Sequence, residues 1–401
     1  MSRTDAIIRP QPIRFFDGFD TELFEFIDLS QYSVLYKTTD NIEFQTNNVD
    51  EMWFNQLFSN NLFTSGLTNW SQYNAGTLPA WSTGTCSGTT DSTASITKTA
   101  GQASQTLYQQ ISLELGKWYR ISIDICDLTG VGVSQFSWSN DGSLGGFTVL
   151  STFNIQSEST QMEYFQWAEA SGDYDLGFVI TGTGSVTALE LSRIRLQTVD
   201  MRYIECTTET AVDLDAETLD DDIITFSLSA VLLTPDITYY FQSNSVAGLG
   251  KSIQFMATAS TFFQMQFNHT GDGVFGIKWS DLTDSTLLMG FKRLNIGQNT
   301  FENENAEVYQ NSSEQNRTLY SQINKKVKIS VDVVPFYVLD VLAYLTNVNN
   351  FQIDVNGDAR RYVKIPDDFA PNWQGYEQAS ISFDCYEAEQ STGIVKNSAN
   401  L

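Results

Sequence analysis

The sequence of 401 residues holds a single histidine, His269, and this scarcity alone removes most histidine chemistry. It lies in Phe267-Asn268-His269-Thr270 at a predicted strand end, with no serine or cysteine nucleophile in a frame that would complete a triad. G-x-x-x-x-G-K-[ST] does not occur, so no phosphate-cradling loop of that kind is expected. Basic residues are also few: 22 Lys and Arg stand against 48 Asp and Glu, a formal charge of −26. Such a surface repels DNA phosphates and anionic lipid, which argues against nucleic-acid binding. No run approaches the roughly 18 apolar residues of a membrane span. Residues 1–20 carry arginines without an apolar h-region, so membrane insertion and secretion are not expected and the chain is read as folding in a cytoplasm. Cys86, Cys126, Cys206 and Cys385 lack metal-like spacing, and in that compartment all four are expected as reduced thiols.

What is abundant points to strands. Aromatics make up 13% of the chain, with 27 Phe and 17 Tyr among frequent Thr, Ser, Val and Ile, a composition that favours β structure. The clearest stretch is Leu107 to Cys126. Leu107, Gln109, Ile111, Leu113 and Leu115 share one parity; after Gly116-Lys117, Tyr119, Ile121, Ile123 and Ile125 share another. This predicts two strands joined in a tight hairpin, each with an apolar inner face. Further strands are predicted at Ser134–Ser139, Met162–Ala168, Tyr174–Thr181 and Ala188–Leu196, at the spacing of a closed two-sheet sandwich.

Three pieces carry a family resemblance: Asn61-Leu62-Phe63-Thr64-Ser65-Gly66-Leu67-Thr68-Asn69-Trp70, the Leu107–Cys126 stretch, and Ala188-Leu189-Glu190-Leu191-Ser192-Arg193-Ile194-Arg195-Leu196. Together they resemble the jelly-roll carbohydrate-binding modules, whose opening strand reads roughly N-x-x-F-x-x-G-x-x-x-W. The resemblance covers about residues 60 to 197. It implies a sugar-binding sandwich with Trp70 and Trp118 in its core. The last strand departs from the pattern, with Glu190, Ser192 and Arg193 where many relatives place a calcium-bound aspartate.

Outside this region, strands are predicted at Tyr32–Lys37 and Ile42–Gln45, and a helical turn over Val49–Leu57 with Met52, Trp53, Gln56 and Leu57 on one face. Residues 1–60 are too short to form a core alone, so they are expected to pair with the chain beyond Thr198. The expected organisation is therefore 1–60 as the first part of a scaffold, 61–197 as an inserted jelly roll, 198–300 as a second β unit of the scaffold, and 301–401 as its C-terminal part. Glu302–Asn316 reads as an exposed loop, and Pro335 opens a helix with Val338, Leu339, Leu342, Ala343 and Leu345 on its apolar face. A hairpin around Asn356-Gly357-Asp358 follows. The fold class is mainly β: a jelly-roll sandwich inserted into a mostly β scaffold with a short C-terminal helix. The layout of the last part resembles tail-tip and baseplate proteins of tailed bacteriophages.

Sugar recognition needs flat aromatic faces for pyranose C–H groups and amides or carboxylates for hydroxyls. Trp81, Trp138 and Trp167, beside predicted loops, with Gln135, Asn140 and Asp141 nearby, are the ligand-binding candidates. No catalytic residue and no cofactor is expected. Calcium is considered at Asp17/Asp20, at Asp213 through Asp222, and at Asp354/Asn356/Asp358, with a solvated loop and a hairpin turn as the plainer readings of the last two. The expectation is a non-enzymatic virion protein of a phage tail tip or baseplate, partnered by other virion proteins, by copies of itself and by host-surface polysaccharide. A free-standing carbohydrate-binding protein and a two-carboxylate glycan hydrolase are the alternatives.

Overall fold

A computed structural model describes residues 11–13, 15, 33–48, 52–54, 56–74, 81–86, 90–97, 105–130, 133–139, 149–154, 161–168, 171–181, 186–199, 201–220, 222–243, 251–298, 300–310, 316–347, 350–355, 358–365, 371–373 and 378–388. The chain divides into two compact units. One, the framework, comprises Met1–Val49, Met201–Leu214 and Thr218–Leu401; the other, the sandwich, comprises Asp50–Asp200 and Asp215–Glu217.

The chain opens with β1 (Val34–Lys37) and β2 (Asn41–Asn47). The inserted unit follows with β3 (Trp53–Phe54), β4 (Ser71–Asn74), β5 (Ser82–Thr85), β6 (Ser92–Thr97), β7 (Gln105–Leu113), β8 (Trp118–Gly130), β9 (Val133–Ser139), β10 (Val149–Asn154), β11 (Gln161–Trp167), β12 (Gly172–Thr181) and β13 (Val186–Val199). Next come β14 (Arg202–Glu205), β15 (Ala211–Asp213), β16 (Ala216–Leu219), β17 (Ile223–Ser229), β18 (Thr238–Gln242), β19 (Phe255–Thr258), β20 (Phe263–Asn268), β21 (Thr286–Phe291), β22 (Leu294–Ile296), β23 (Thr300–Gln310) and β24 (Asn316–Pro335). The helix α1 (Phe336–Leu345) precedes β25 (Asn350–Val355), β26 (Asp358–Lys364), β27 (Asn372–Trp373) and β28 (Gln378–Glu387).

The inserted unit is a two-sheet sandwich. One sheet runs in the order β10-β9-β12-β7-β4 and the other β11-β8-β13-β6-β5, with β3 added to the end of β13. Leu107, Leu113, Tyr174, Leu176 and Phe178 of the first sheet meet Tyr119, Ile121, Ile123, Leu189, Leu191, Ile194 and Leu196 of the second in one buried core. Leu189 and Leu191 stand on odd positions but Ile194 and Leu196 on even ones. A bulge between Leu191 and Arg193 leaves Ser192 unpaired and returns both pairs to the core side. On the facing strand Cys126 is skipped in the same way, between Ile125 and Asp127.

Several expectations are corrected here. The stretch β7–β8 is not a hairpin, because its two strands lie in different sheets. Residues 114–117 cross the roughly 10 Å between the sheets, which turns Leu115 out to 61% exposure instead of into the core. The 61–70 stretch is a run of turns rather than a strand. Its organiser is Asn60, whose side-chain amide donates to the Gly66 and Thr68 carbonyls at 2.9 and 3.1 Å while its oxygen accepts the Ser65 N–H. Phe63 and Trp70 from this run pack at 5.4 Å in the core. Of the helical turn expected at 49–57, Met52 is helical but Trp53–Phe54 form strand β3, paired Trp53 to Val199 and Phe54 to Thr198, and residues 49–51 and 55 lie outside the described residues. Cys86 and Cys126 are not reduced thiols: they form a disulfide across 40 residues, with Cα atoms 5.6 Å apart. Cys206 and Cys385 are free.

In the framework, the segment before the insertion completes sheets formed by the segment after it. β2 runs antiparallel to β17 from Asn47↔Ile223 to Asn41↔Ser229, and β1 runs parallel to β19 from Val34↔Phe255 to Lys37↔Thr258. Phe44 therefore sits between Phe226 and Phe241, at ring distances of 5.0 and 4.5 Å, and Phe241 stacks on Phe255 at 4.4 Å. A nine-stranded sheet in the order β21-β20-β25-β26-β28-β24-β22, with β27 on β28 and β23 on β24, forms the rest. The 198–300 stretch is thus shared out: β18 and β19 join β1, while β20 lies between β21 and β25. Pro335 precedes α1, which buries Val338, Leu339, Val341, Leu342 and Leu345, and Thr346 closes it by donating to the Leu342 carbonyl at 2.7 Å. Glu302–Asn316, expected as a loop, is largely strand β23.

Candidate carbohydrate-binding site

Of the six sequence candidates, Trp81 and Trp167 are not brought together. Trp81 is only 3% exposed, inside the core of the sandwich against Phe178. Gln72 holds it there, accepting the Trp81 N–H at 3.0 Å and donating to its carbonyl at 3.3 Å. Its ring is closed to a ligand, because the apolar interior gains more from an indole than solvent does. Gln135 and Trp138 lie on β9, paired in register with Val179 and Leu176 of β12. Asn140 and Asp141 lie outside the described residues.

Trp167 has a partner that sequence reasoning assigned to the core. β8 and β11 pair antiparallel so that Trp118 stands directly opposite Trp167, then Arg120 opposite Phe165, then Ser122 opposite Glu163. The core-facing residues of β8 are the alternate ones, Tyr119, Ile121 and Ile123. By the period of two, Trp118, Trp167 and Phe165 therefore belong to the outer face of the second sheet. The two indoles are half-buried, with ring centroids 5.3 Å apart and planes at 59°. Phe165 continues the strip, 5.3 Å from Trp53.

Polar groups border these rings. Arg120, almost wholly buried, is ion-paired with the partly exposed Glu163 beside Phe165. Lys117 binds Glu114 at 2.7 Å and Asp215 at 3.4 Å next to Trp118. Burial works against the Lys117 ammonium, but the two carboxylates outweigh it and raise its pKa above the ordinary lysine value. Gln161, of the same parity as Phe165 and Trp167, is exposed on β11. The patch combines an angled pair of rigidly paired indoles with charged and amide side chains at its rim, the donor set that sugar hydroxyls and C–H faces require. No spacing rule pointed to Trp118, because its partner lies 49 residues away and only strand pairing unites them.

The opposite outer face, on the first sheet, is polar. Tyr108 lies between Ser71 and Gly177 in register, with Gln110 opposite Asp175 and Ser112 opposite Asp173. Burial pushes the Tyr108 hydroxyl upward in pKa, Asp175 adds to this, and a hydrogen bond with Ser71 opposes it. Tyr108 is almost enclosed and Ser112 is committed to Asp173, so the described side chains of this face offer hydroxyls and amides.

The acidic clusters considered for calcium are engaged otherwise. Asp354 pairs with Lys37 at 3.1 Å, Asp358 with Arg360 at 2.9 Å, Asp213 with Arg202 at 3.0 Å, and Asp220 with Lys278. Asp17, Asp20 and Asn356 lie outside the described residues. Among the described residues no group of three or more His, Cys, Asp or Glu is placed to hold a metal ion. Asp124 is bound by Arg193 at 2.7 Å. His269 accepts the Gly271 N–H through Nδ1 at 2.8 Å and packs on Trp279, a structural use of the only imidazole.

No protein-family model matches the chain, and no curated protein matches it in sequence. Among solved structures, it is similar to a tailspike protein 4 enzymatically active domain of bacteriophage CBA120, at 13% identity and a TM-score of 0.29, over 36% of this chain and 21% of that one. It is also similar to the tandem CBM22 domains of Paenibacillus barcinonensis Xyn10C, at 10% identity and TM-score 0.28, over 85% of this chain and 87% of the other. A third, the adhesin domain of Epf from Streptococcus pyogenes, matches at 9% identity and TM-score 0.27, over 57% of this chain and 95% of the other. The chain spans about a fifth of the tailspike structure's length, and the three likenesses are too loose to assign a function.

Proposed function

We propose that the chain is a non-enzymatic structural protein of a phage virion, at the tail tip or baseplate, whose sandwich holds host-surface glycan against Trp118 and Trp167. The observation that carries the glycan part is the indole pair itself: two large rings, 5.3 Å apart and half-buried, on an outer sheet face where an isolated sandwich would place polar residues. Both rings are fixed by the β8–β11 ladder, so little freedom is lost on binding. A binding role fits better than hydrolysis, since Glu163, the acid nearest these rings in register, is held by Arg120. The virion part is supported by the layout of the last third of the sequence.

The test is a glycan array probed with the full chain and with Trp118→Ala and Trp167→Ala. Each substitution is expected to weaken retention roughly tenfold, the scale of one aromatic contact, with unchanged thermal melting. Failure of the unaltered chain to retain any glycan, or retention by both variants as strong as that of the unaltered chain, refutes the site.

A further inference from the structure

The hairpin β23–β24 outgrows the sheet it belongs to. β24 pairs with β28 from Lys326 to Pro335 and with β22 between Ile329 and Val331. From Asn316 to Lys325 its only ladder partner among the described residues is β23, and β23 has no other partner. The free part, about nine residues per strand, makes a ribbon roughly 30 Å long. A lone two-stranded ribbon is marginal in water, and each of its outer edges presents unpaired N–H and C=O groups.

Two of the usual protections of such edges, proline and lysine, are missing from β23. β23, TFENENAEVYQ, contains neither proline nor lysine, and its only charges are Glu302, Glu304 and Glu307. The free half of β24, NRTLYSQINK, carries two charges, Arg317 and, at its base, Lys325, which is paired with Glu387. Two compensating register shifts, on either side of Glu307, add one residue to each strand and give the ribbon a local twist that an indefinite flat stack would not accommodate. The two edges are thus opposite in sign, in a chain whose copies otherwise repel one another with a formal charge of −26 each.

We propose that this arm is an assembly element: the acidic β23 edge of one copy adds alongside the β24 edge of a second copy, near Arg317. Pairing of β23 with β23 is disfavoured because it sets glutamates against glutamates. The contact is therefore heterologous, and successive copies close into a ring if the rotation permits. This deepens the assembly half of the reading above and is independent of the glycan half.

Sedimentation of the full chain tests it. The unaltered protein is expected to associate, while Arg317→Glu and the double variant Glu304→Lys/Glu307→Lys each sediment as monomers with unchanged thermal melting. Mixed in equal amounts, the two variants are expected to associate again, since each edge then meets its opposite. A variant with residues 303–323 replaced by a two-residue turn provides a second measure and is expected to be monomeric. A monomeric wild type, associated single-edge variants, a mixture that stays monomeric, or an associated arm-deleted chain each overturns the proposal. Glycan retention by the same variants reads the sandwich separately, so loss of one property without the other shows which reading failed.

Discussion

Gly177 has no room for a side chain. A Cβ there would lie 2.1 Å from the Leu107 carbonyl oxygen and 2.5 Å from the Tyr108 Cα, both backbone atoms that cannot turn aside. Gly177→Ala must push β12 away from β7 and is expected to destabilise the sandwich by about 1–3 kcal/mol, the usual scale of overpacking. Urea denaturation of the full chain, followed by the fluorescence of its tryptophans, checks this. Asp40 shows the electrostatic counterpart. Burial raises its pKa, against the Lys37 N–H at 2.7 Å, the Gln264 amide and the Lys37 ammonium, while Asp354 adds to the rise. A carboxyl raised in the folded state costs stability when ionised, and the cost fades as pH falls from its folded pKa towards the unfolded value of about 3.9. One oxygen, Oδ2, accepts both hydrogen bonds, and an asparagine oxygen can replace it. Asp40→Asn is therefore expected to gain on the wild type at neutral pH and to lose that advantage near pH 4. Equal differences in denaturation midpoint at the two pH values would count against this account.

The disulfide and the bulges act at the scale of elements. Cys126 is the residue that the β8 register skips, and Cys86 directly follows β5, so the bond ties the edge of the second sheet to its middle. Closing a loop of 40 residues constrains the unfolded chain by about 4 kcal/mol in the loop-entropy account. Reductant, or Cys86→Ser with Cys126→Ser, is expected to lower the denaturation midpoint of the sandwich by an amount approaching this, and an unchanged midpoint sinks it. The sequence could not reveal the pair. Four cysteines without recognisable spacing and a cytoplasmic reading both pointed to thiols, and proximity arises only when β13 and β6 place β5 near β8. The β7–β8 reading failed for a related reason: alternation shows which side of a strand is apolar, but not which sheet the strand joins. A four-residue connection serves a hairpin or a crossing between sheets equally well.

At the scale of the molecule, the mainly β class, the inserted sandwich and the short helix after Pro335 were legible, because each rests on local signals: parity, turn residues and a proline at a helix start. The candidate site was legible only in part. Trp81 proved to be core, and Trp118, assigned to the core, proved to be the neighbour of Trp167. An aromatic residue beside a predicted loop looks the same in sequence whether a glutamine clamp draws it inward, as Gln72 does with Trp81, or a strand partner holds it on the outer face. The sequence by itself determined the strand content, the net negative charge and the single histidine, since these follow from composition and from period-two patterns along one strand. Only the tertiary structure decided which strands pair, that Cys86 meets Cys126, that Trp118 meets Trp167, and that β23 stands out with one neighbour. Those outcomes depend on hydrogen bonds between residues far apart in the chain, and a ladder's partner is not written in the strand that seeks it.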